Sequence, residues 1–281
     1  MNSKFQEINV ESTINSGQVF LWNKIGRKWY GVDGENILVI DEKTTKFSKN
    51  QKEFNFFREN DNFEEVFSYL KKDKVVKKAV STFPGIRLLR QNPFQCYISF
   101  IVSSNSNIPN IKTRLQNLCK KFGKRRKIES KEFFVFPEAK VISKASNSDI
   151  LSCGVGYRAK AIKNASATVT KNEINFESLK NMNYHAAKQE LVKVFGIGNK
   201  VADCILLFSL EKSEAFPLDR WMLRILQKYY ANRFQLTTKT LTNNSYDNIH
   251  QKIVDYFGKH AGYSQQYLFK MERELYNKNW L

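Results

Sequence analysis

VFGIGNKVADC, residues 194–204, is the stretch that decides how this chain folds. Two glycines bracket Ile197, and Lys200 and Cys204 follow. Ahead of it, Tyr184, Ala187, Leu191 and Val194 recur at helical spacing. They predict a helix that buries one face and stops at Gly196. A second helix is expected from Val201 to Leu210. Glycine supplies a positive φ and close approach, so Gly196-Ile197-Gly198 can join two helices too tightly for ordinary side chains. Ile197 is expected to point back between them. Such a hairpin frees the first amides of the second helix, and with the helix dipole they form a phosphate site. The contact is to backbone and so is blind to base sequence. A Gly-x-Gly turn also serves plain helix packing, so it does not identify a partner by itself. Lys200 adds a question. The positive end of a helix dipole repels cations. A lysine in that first turn is either bound to an anion or deprotonated for chemistry.

The 281 residues allow one large or two modest domains with ample core. A net charge of +19 favours a polyanionic partner, nucleic acid ahead of an acidic membrane. A lysine-rich proteome accounts for part of such a charge. The start, MNSKFQEINVEST, lacks an apolar core, and no apolar run is long enough to span a bilayer. An intracellular protein is expected. Cys96, Cys119, Cys153 and Cys204 form no C-x-x-C pair, so no zinc, iron–sulfur cluster or other cofactor is expected. His185, His250 and His260 are isolated and read as surface or hydrogen-bonded residues.

Outward from the hairpin, two halves are expected. Residues 19–22, 28–32 and 36–40 are short apolar or aromatic runs. Gly26-Arg27 and Asp33-Gly34 separate them as hairpin signals, predicting an antiparallel meander with charged outer positions. Pro84-Gly85 breaks the chain, and everything beyond reads as helical. Asn92-Pro93 caps and opens one helix, and another runs from about Pro109 to Lys121. Residues 120–127, KKFGKRRK, read as a basic loop, either solvated or on DNA. Asn147 or Ser148 caps a helix ending at Cys153, and Tyr157-Arg158 opens the next. The fold class is therefore α+β. An N-terminal antiparallel β domain, residues 1–88, precedes a larger all-helical domain, 89–281, holding the helix–hairpin–helix at about 184–210.

Asp219 lies fifteen residues after Cys204, in AFPLDRWM, residues 215–222. Glycine hairpin, lysine and proline-linked aspartate together resemble the helix–hairpin–helix DNA glycosylases. The chain is similar to the 8-oxoguanine DNA glycosylase branch across six blocks in order: residues 15–22, 85–96 with 100–108, 154–161, 194–204, 216–222 and 262–269. The resemblance implies a bifunctional glycosylase and abasic-site lyase acting as a monomer on double-stranded DNA containing 8-oxoguanine.

By this resemblance Lys200 is the nucleophile that attacks C1′ and forms a Schiff base. It must be neutral to react, and burial and the helix terminus both favour that form. Asp219 stabilises the charge developing on the sugar, and aspartate is also a favoured helix cap. The target base must leave the stack. Asn105 fills the vacated space, Tyr157 wedges the opposite strand, Arg158 contacts the orphaned cytosine, and Gly196 and Gly198 hold the backbone. Phe269 and Cys204 sandwich the everted base, Gln265 pairs with its Watson–Crick edge, and the Gly17 carbonyl reads the lesion's N7–H. One hydrogen bond contributes about 0.5–1.5 kcal/mol, and an unpaired counterpart costs roughly 1–3. Gly17 therefore cannot carry specificity alone.

The chain departs from the family pattern at three positions. Asn110 replaces an arginine that contacts the orphaned cytosine, so weaker selectivity for the opposite base is expected. Trp221 replaces a histidine near the phosphate and cannot titrate. Ser106 replaces an asparagine beside the gap-filling residue. Two other readings remain: the same fold acting on another damaged base, and a binder of bent or damaged duplex that does not cut.

Overall fold

The computed structural model describes residues 7–42, 55–234 and 241–278. A short helix α1 (Val10–Ile14) leads into strands β1 (Trp22–Ile25), β2 (Lys28–Asp33) and β3 (Asn36–Asp41). They pair antiparallel in chain order, joined by the two-residue loops Gly26-Arg27 and Gly34-Glu35. The second loop sits one residue later than its sequence signal. Asp33 stays in the strand, where its buried carboxylate accepts the Asn92 amide at 2.7 Å.

The meander is not the half-exposed sheet its alternation suggested. The exposed positions are Asn23 to Ile25 of β1 and Asn36 at the start of β3. Trp29, Leu38 and Ile40 pack with Val10, Ile14, Trp22, Phe56, Phe57 and Leu89 in a small core. Val32 and Ile37 join the main core instead. Tyr30 stacks on Phe133, with ring centroids 5.4 Å apart. Both faces are thus covered, which is why the strands tolerate so little charge.

Helices α2 (Phe63–Leu70) and α3 (Lys74–Thr82) precede the Pro84-Gly85 break, so helix begins earlier than the sequence signals indicate. Asn62 and Asp73 cap them, accepting first-turn amides. Then come α4 (Pro93–Ser103), capped by Asn92 as expected, and α5 (Ile108–Phe122). The basic run is not a loop. Arg125, Arg126 and Lys127 lie in β4 (Arg125–Ile128), paired with β5 (Lys131–Phe134). Several of its cations are already matched, Lys121 to Asp149 at 2.8 Å and Lys124 to Glu138 at 2.5 Å.

The remaining helices are α6 (Ala139–Lys144), α7 (Asn147–Ile150), α8 (Ala159–Thr170), α9 (Phe176–Asn181) and α10 (Tyr184–Val192). They continue through α11 (Asn199–Ser209), α12 (Arg220–Phe234), α13 (Asn243–Phe257) and α14 (Ala261–Lys278). Ser146, not Asn147 or Ser148, caps α7, and Leu151–Val155 follow as a π turn. Residues 95–102 of α4 are buried all round, marking it as the central helix. The α14 helix returns to the start of the chain. Gln266 Nε2 donates to the Ser16 carbonyl at 2.7 Å, and Tyr267 Oη to the Ile86 carbonyl at 3.2 Å. That return sets residues 261–273 against the segment around Gly17. Among the described residues, no helix is long and apolar enough to cross a membrane.

Candidate active site

The Gly-Ile-Gly turn joins α10 to α11. Gly196 has φ +90°, and a Cβ there would meet the Ala161 Cβ of α8 at 2.5 Å. Glycine is required twice, for conformation and for contact. Ile197 is buried in the main core, as its role in the turn demands. Gly198 differs from the expectation. It is extended, φ −95°, and caps α11 with open space beside its Cα. The caps of α4, α5, α10 and α13 supply a side-chain acceptor, whereas that of α11 has none. The first-turn amides of α11 are therefore left for an external acceptor.

Lys200 and Cys204 lie one turn apart on α11. Lys200 is part-buried, its amine 5.5 Å from the Phe100 ring centroid and near enough to act electrostatically on the Cys204 thiol. Burial pushes the Cys204 thiol up to about 12 despite the Lys200 charge, so it stays protonated at neutral pH. Asp219 is near enough to act electrostatically on Cys204 and on Arg273. Its Oδ1 accepts the Met222 amide at 2.8 Å, so it also caps the start of α12.

A buried network fixes that geometry. Asp203, on α11, is 0 % exposed. It accepts Tyr184 Oη on one oxygen and Tyr246 Oη on the other, each at 2.6 Å. Tyr246 Oη also accepts the Leu218 amide at 3.0 Å. Lys188 reaches the Tyr184 oxygen at 3.1 Å and Asp247 at 3.0 Å. Burial and the Asp203 charge push both tyrosine hydroxyls far above their ordinary range, so both remain donors. Sequence reading missed this network, since a phenol and a carboxylate 43 positions apart carry no local signature.

Across the site, Gly17 has φ +90° and its would-be Cβ lies 3.0 Å from the Phe269 ring edge. Its neighbours are pinned. Gln18 Nε2 donates to the Arg87 carbonyl at 2.8 Å, and Gln18 Oε1 accepts the Leu89 amide at 2.9 Å. The Ser16 carbonyl is held by Gln266. Phe269 is the partly exposed residue between buried Leu268 and Lys270. Gln265 is buried, and its Oε1 has no partner. A cavity of about 470 Å³ opens beside Gly17, lined also by Ile108, Lys112 and Arg273. Among the described residues, no cluster of three or more His, Cys, Asp or Glu side chains could hold a metal ion.

The three residues assigned to the vacated stack and opposite strand also meet. Asn105 sits in the left-handed region at φ +48°, and its Nδ2 donates to Tyr157 Oη at 3.4 Å. Tyr157 is 69 % exposed. Arg158 is buried and its fork is occupied. It donates to the carbonyls of Ser104 at 3.0 Å, Val155 at 3.2 Å and Asn105 at 3.2 Å. Arg158 therefore shapes the Asn105 turn, and a contact to a base would require part of this fork to be released. Arg114, which sequence reading did not single out, links both loops. It donates to Ser106 Oγ at 2.6 Å and to the Gly154 carbonyl at 3.0 Å. Asn110 is exposed, its amide held by Asn107 Oδ1 at 2.9 Å. Trp221 packs edge-on against Tyr276 of α14 at 5.0 Å.

Comparison with known proteins identifies the family and the fold. Residues 1–97 match the 8-oxoguanine DNA glycosylase N-terminal domain. Residues 98–250 match the HhH-GPD superfamily of base excision DNA repair proteins. The chain is 30 % identical to a probable N-glycosylase/DNA lyase of Methanothermobacter thermautotrophicus, over 75 % of this chain and 70 % of that one. It is 29 % identical to the N-glycosylase/DNA lyase OGG1 of Arabidopsis thaliana, over 95 % and 78 %. The structure of the Clostridium acetobutylicum 8-oxoguanine glycosylase/lyase, in complex with DNA containing cytosine opposite 8-oxoguanine, superposes with a TM-score of 0.85. That match is 30 % identical and covers 96 % of this chain and 93 % of that one. With its small antiparallel sheet, its larger helical body and its glycine hairpin, the chain belongs to the HhH-GPD superfamily of base excision DNA repair glycosylases, in the 8-oxoguanine DNA glycosylase branch.

Proposed function

We propose that this chain excises 8-oxoguanine from duplex DNA and then cuts the strand, with Lys200 as nucleophile. The observation that supports this reading is that Asp219 is near enough to act electrostatically both on Cys204, one turn from Lys200, and on Arg273, which with Phe269 lies against Gly17. The free amides of α11 and the net charge of +19 grip the phosphates. Asn105 takes the space left by the everted nucleotide, and Tyr157 wedges the opposite strand. The base lies between Phe269 and the neutral Cys204 thiol, and Gln265 Oε1 accepts from its Watson–Crick edge.

The Lys200 amine then attacks C1′ as the C1′–N9 bond breaks. The bonding pair departs with the base, which takes up a proton. The Asp219 carboxylate stabilises the positive charge on the sugar. Opening of the sugar ring at O4′ leaves a Schiff base between Lys200 and C1′. Loss of a C2′ proton expels the 3′ phosphate and nicks the strand. Water releases the lysine.

Borohydride reduction in the presence of an 8-oxoguanine duplex tests this. The unmodified chain should become covalently attached to the DNA, and Lys200→Gln should not. Asp219→Asn should slow excision by roughly 100-fold. Binding of the duplex with no adduct from either protein would leave a damage binder and sink the enzyme reading. A panel of other damaged bases separates 8-oxoguanine from a second substrate.

A further inference from the structure

Gln265, Phe269 and Arg273 stand four residues apart on α14 and so share one face. The two polar ends of this row are unusual in the same way. Gln265 Oε1 is buried and accepts no hydrogen bond, and Arg273 Nη1 is buried and donates none. One end offers a lone pair, the other a charged donor, with the bare Phe269 ring between them. The Arg273 guanidinium lies 5.5 Å from the Phe269 ring centroid. Its Nη1 is 3.4 Å from the point where a side chain on Gly17 would begin. A buried donor without an acceptor is costly unless a ligand supplies one. The cavity beside Gly17 opens at this end of the row and is lined there by Arg273 itself and by Lys112, Lys270 and the carboxylates of Glu11 and Glu274, none of which hydrogen-bonds to Arg273 Nη1. Burial and the Arg273 charge both hold Lys112 below the ordinary lysine range.

We propose that Arg273 reads the oxygen at C8 of the lesion. This rests on the function proposed above. A purine lying on Phe269 with its Watson–Crick edge at Gln265 turns its five-membered ring toward the far end of the row. That end is Arg273 and Gly17. In 8-oxoguanine the edge carries a carbonyl at C8 and a hydrogen on N7. The carbonyl accepts from Arg273 Nη1 while N7–H donates to the Gly17 carbonyl. Guanine presents C8–H to the guanidinium and a lone pair to the carbonyl, and satisfies neither. Two readers of opposite polarity therefore act on adjacent atoms, and the discrimination that Gly17 cannot supply alone is shared.

The test compares two duplexes under single turnover, one with 8-oxoguanine and one with an abasic site, which has no base to read. In Arg273→Leu the ratio of 8-oxoguanine excision to abasic-strand cleavage should fall at least tenfold. Arg273→Lys, which keeps a charge and a donor, should recover part of it. An equal fall on both duplexes would overturn the proposal, because Arg273 would then act through Asp219, Lys200 or the DNA backbone. A ratio that stays constant or rises overturns it as well. If the unmodified chain cleaves abasic DNA and leaves 8-oxoguanine in place, the substrate assignment fails, and the role of Arg273 with it.

Discussion

Tyr246 hangs a single hydroxyl between Asp203 and the Leu218 amide, at 2.6 and 3.0 Å. Asp203 stands on α11 between Lys200 and Cys204, and Leu218 directly precedes Asp219. One oxygen therefore ties the helix of the proposed nucleophile to the loop of the proposed carboxylate. Tyr246→Phe leaves the Leu218 amide and one of the two Asp203 oxygens unpaired in the core and should cost about 2–4 kcal/mol in urea unfolding. It should also lower kcat about tenfold with KM within twofold, since the loosened element carries Asp219 rather than the DNA contacts. Tyr184→Phe is the control. It removes the other hydroxyl on Asp203 but leaves Leu218 held. A similar loss of stability with little change in kcat is expected. Equal kcat losses in the two variants would deny Tyr246 its positioning role.

Gly196 and Gly198 look interchangeable in sequence and are not. At Gly196 alanine would carry a left-handed strain of about 1–2 kcal/mol. It would also force its methyl to 2.5 Å from Ala161. Gly196→Ala should therefore destabilise the whole protein, read as a lower Tm without DNA. Gly198 has an ordinary φ of −95° and nothing within 4 Å of a Cβ. Gly198→Ala should leave Tm nearly unchanged yet weaken DNA binding about tenfold, by holding phosphate off the first amides of α11. If Gly198→Ala binds DNA normally, the phosphate site lies elsewhere.

The hairpin, the capping of α4 and the grouping of Asn105 with Tyr157 were legible because each depends on residues close in sequence or on a recognisable block. Other features were not. Gln266 holds the carbonyl of Ser16 across 250 positions, and neither residue announces a partner. The strand β4 hides because Arg125, Arg126 and Lys127 show no alternation of polarity. The buried fork of Arg158 was missed for a related reason: a motif fixes which residue is present, whereas packing decides which acceptors reach it first. The burial of both sheet faces depended on Phe133, from a hairpin that sequence reading did not foresee.

Asn110 permits a gain of function. Its amide contributes to the cap of α5 through Asn107 Oδ1, but the residue itself is exposed. Asn110→Arg should cost less than about 0.5 kcal/mol of stability, as surface changes away from special features do. The added fork can donate to the two free acceptors of an orphaned cytosine. The ratio of excision opposite cytosine to excision opposite adenine should rise at least tenfold. An unchanged ratio would mean that position 110 does not face the opposite base in this protein.

Asp33 makes stability depend on pH at a distance from the chemistry. Burial pushes its carboxyl up to about 6, and the Asn92 amide opposes this only in part. The folded-state value lies above the unfolded one, so the fold binds the proton more tightly. Acid therefore favours the fold at this group, and the benefit is lost as pH rises from about 4 through about 6. Above that window the buried charge costs up to about 3 kcal/mol, from roughly two pKa units at 1.36 kcal/mol each. Asp33→Asn keeps an acceptor for the Asn92 amide and removes the charge. Its Tm should exceed that of the unmodified protein at pH 7.5, and the difference should vanish or reverse by pH 4.5. A gain of the same size at both pH values would mean that the carboxyl stays ionised throughout and that its burial is compensated by groups other than Asn92.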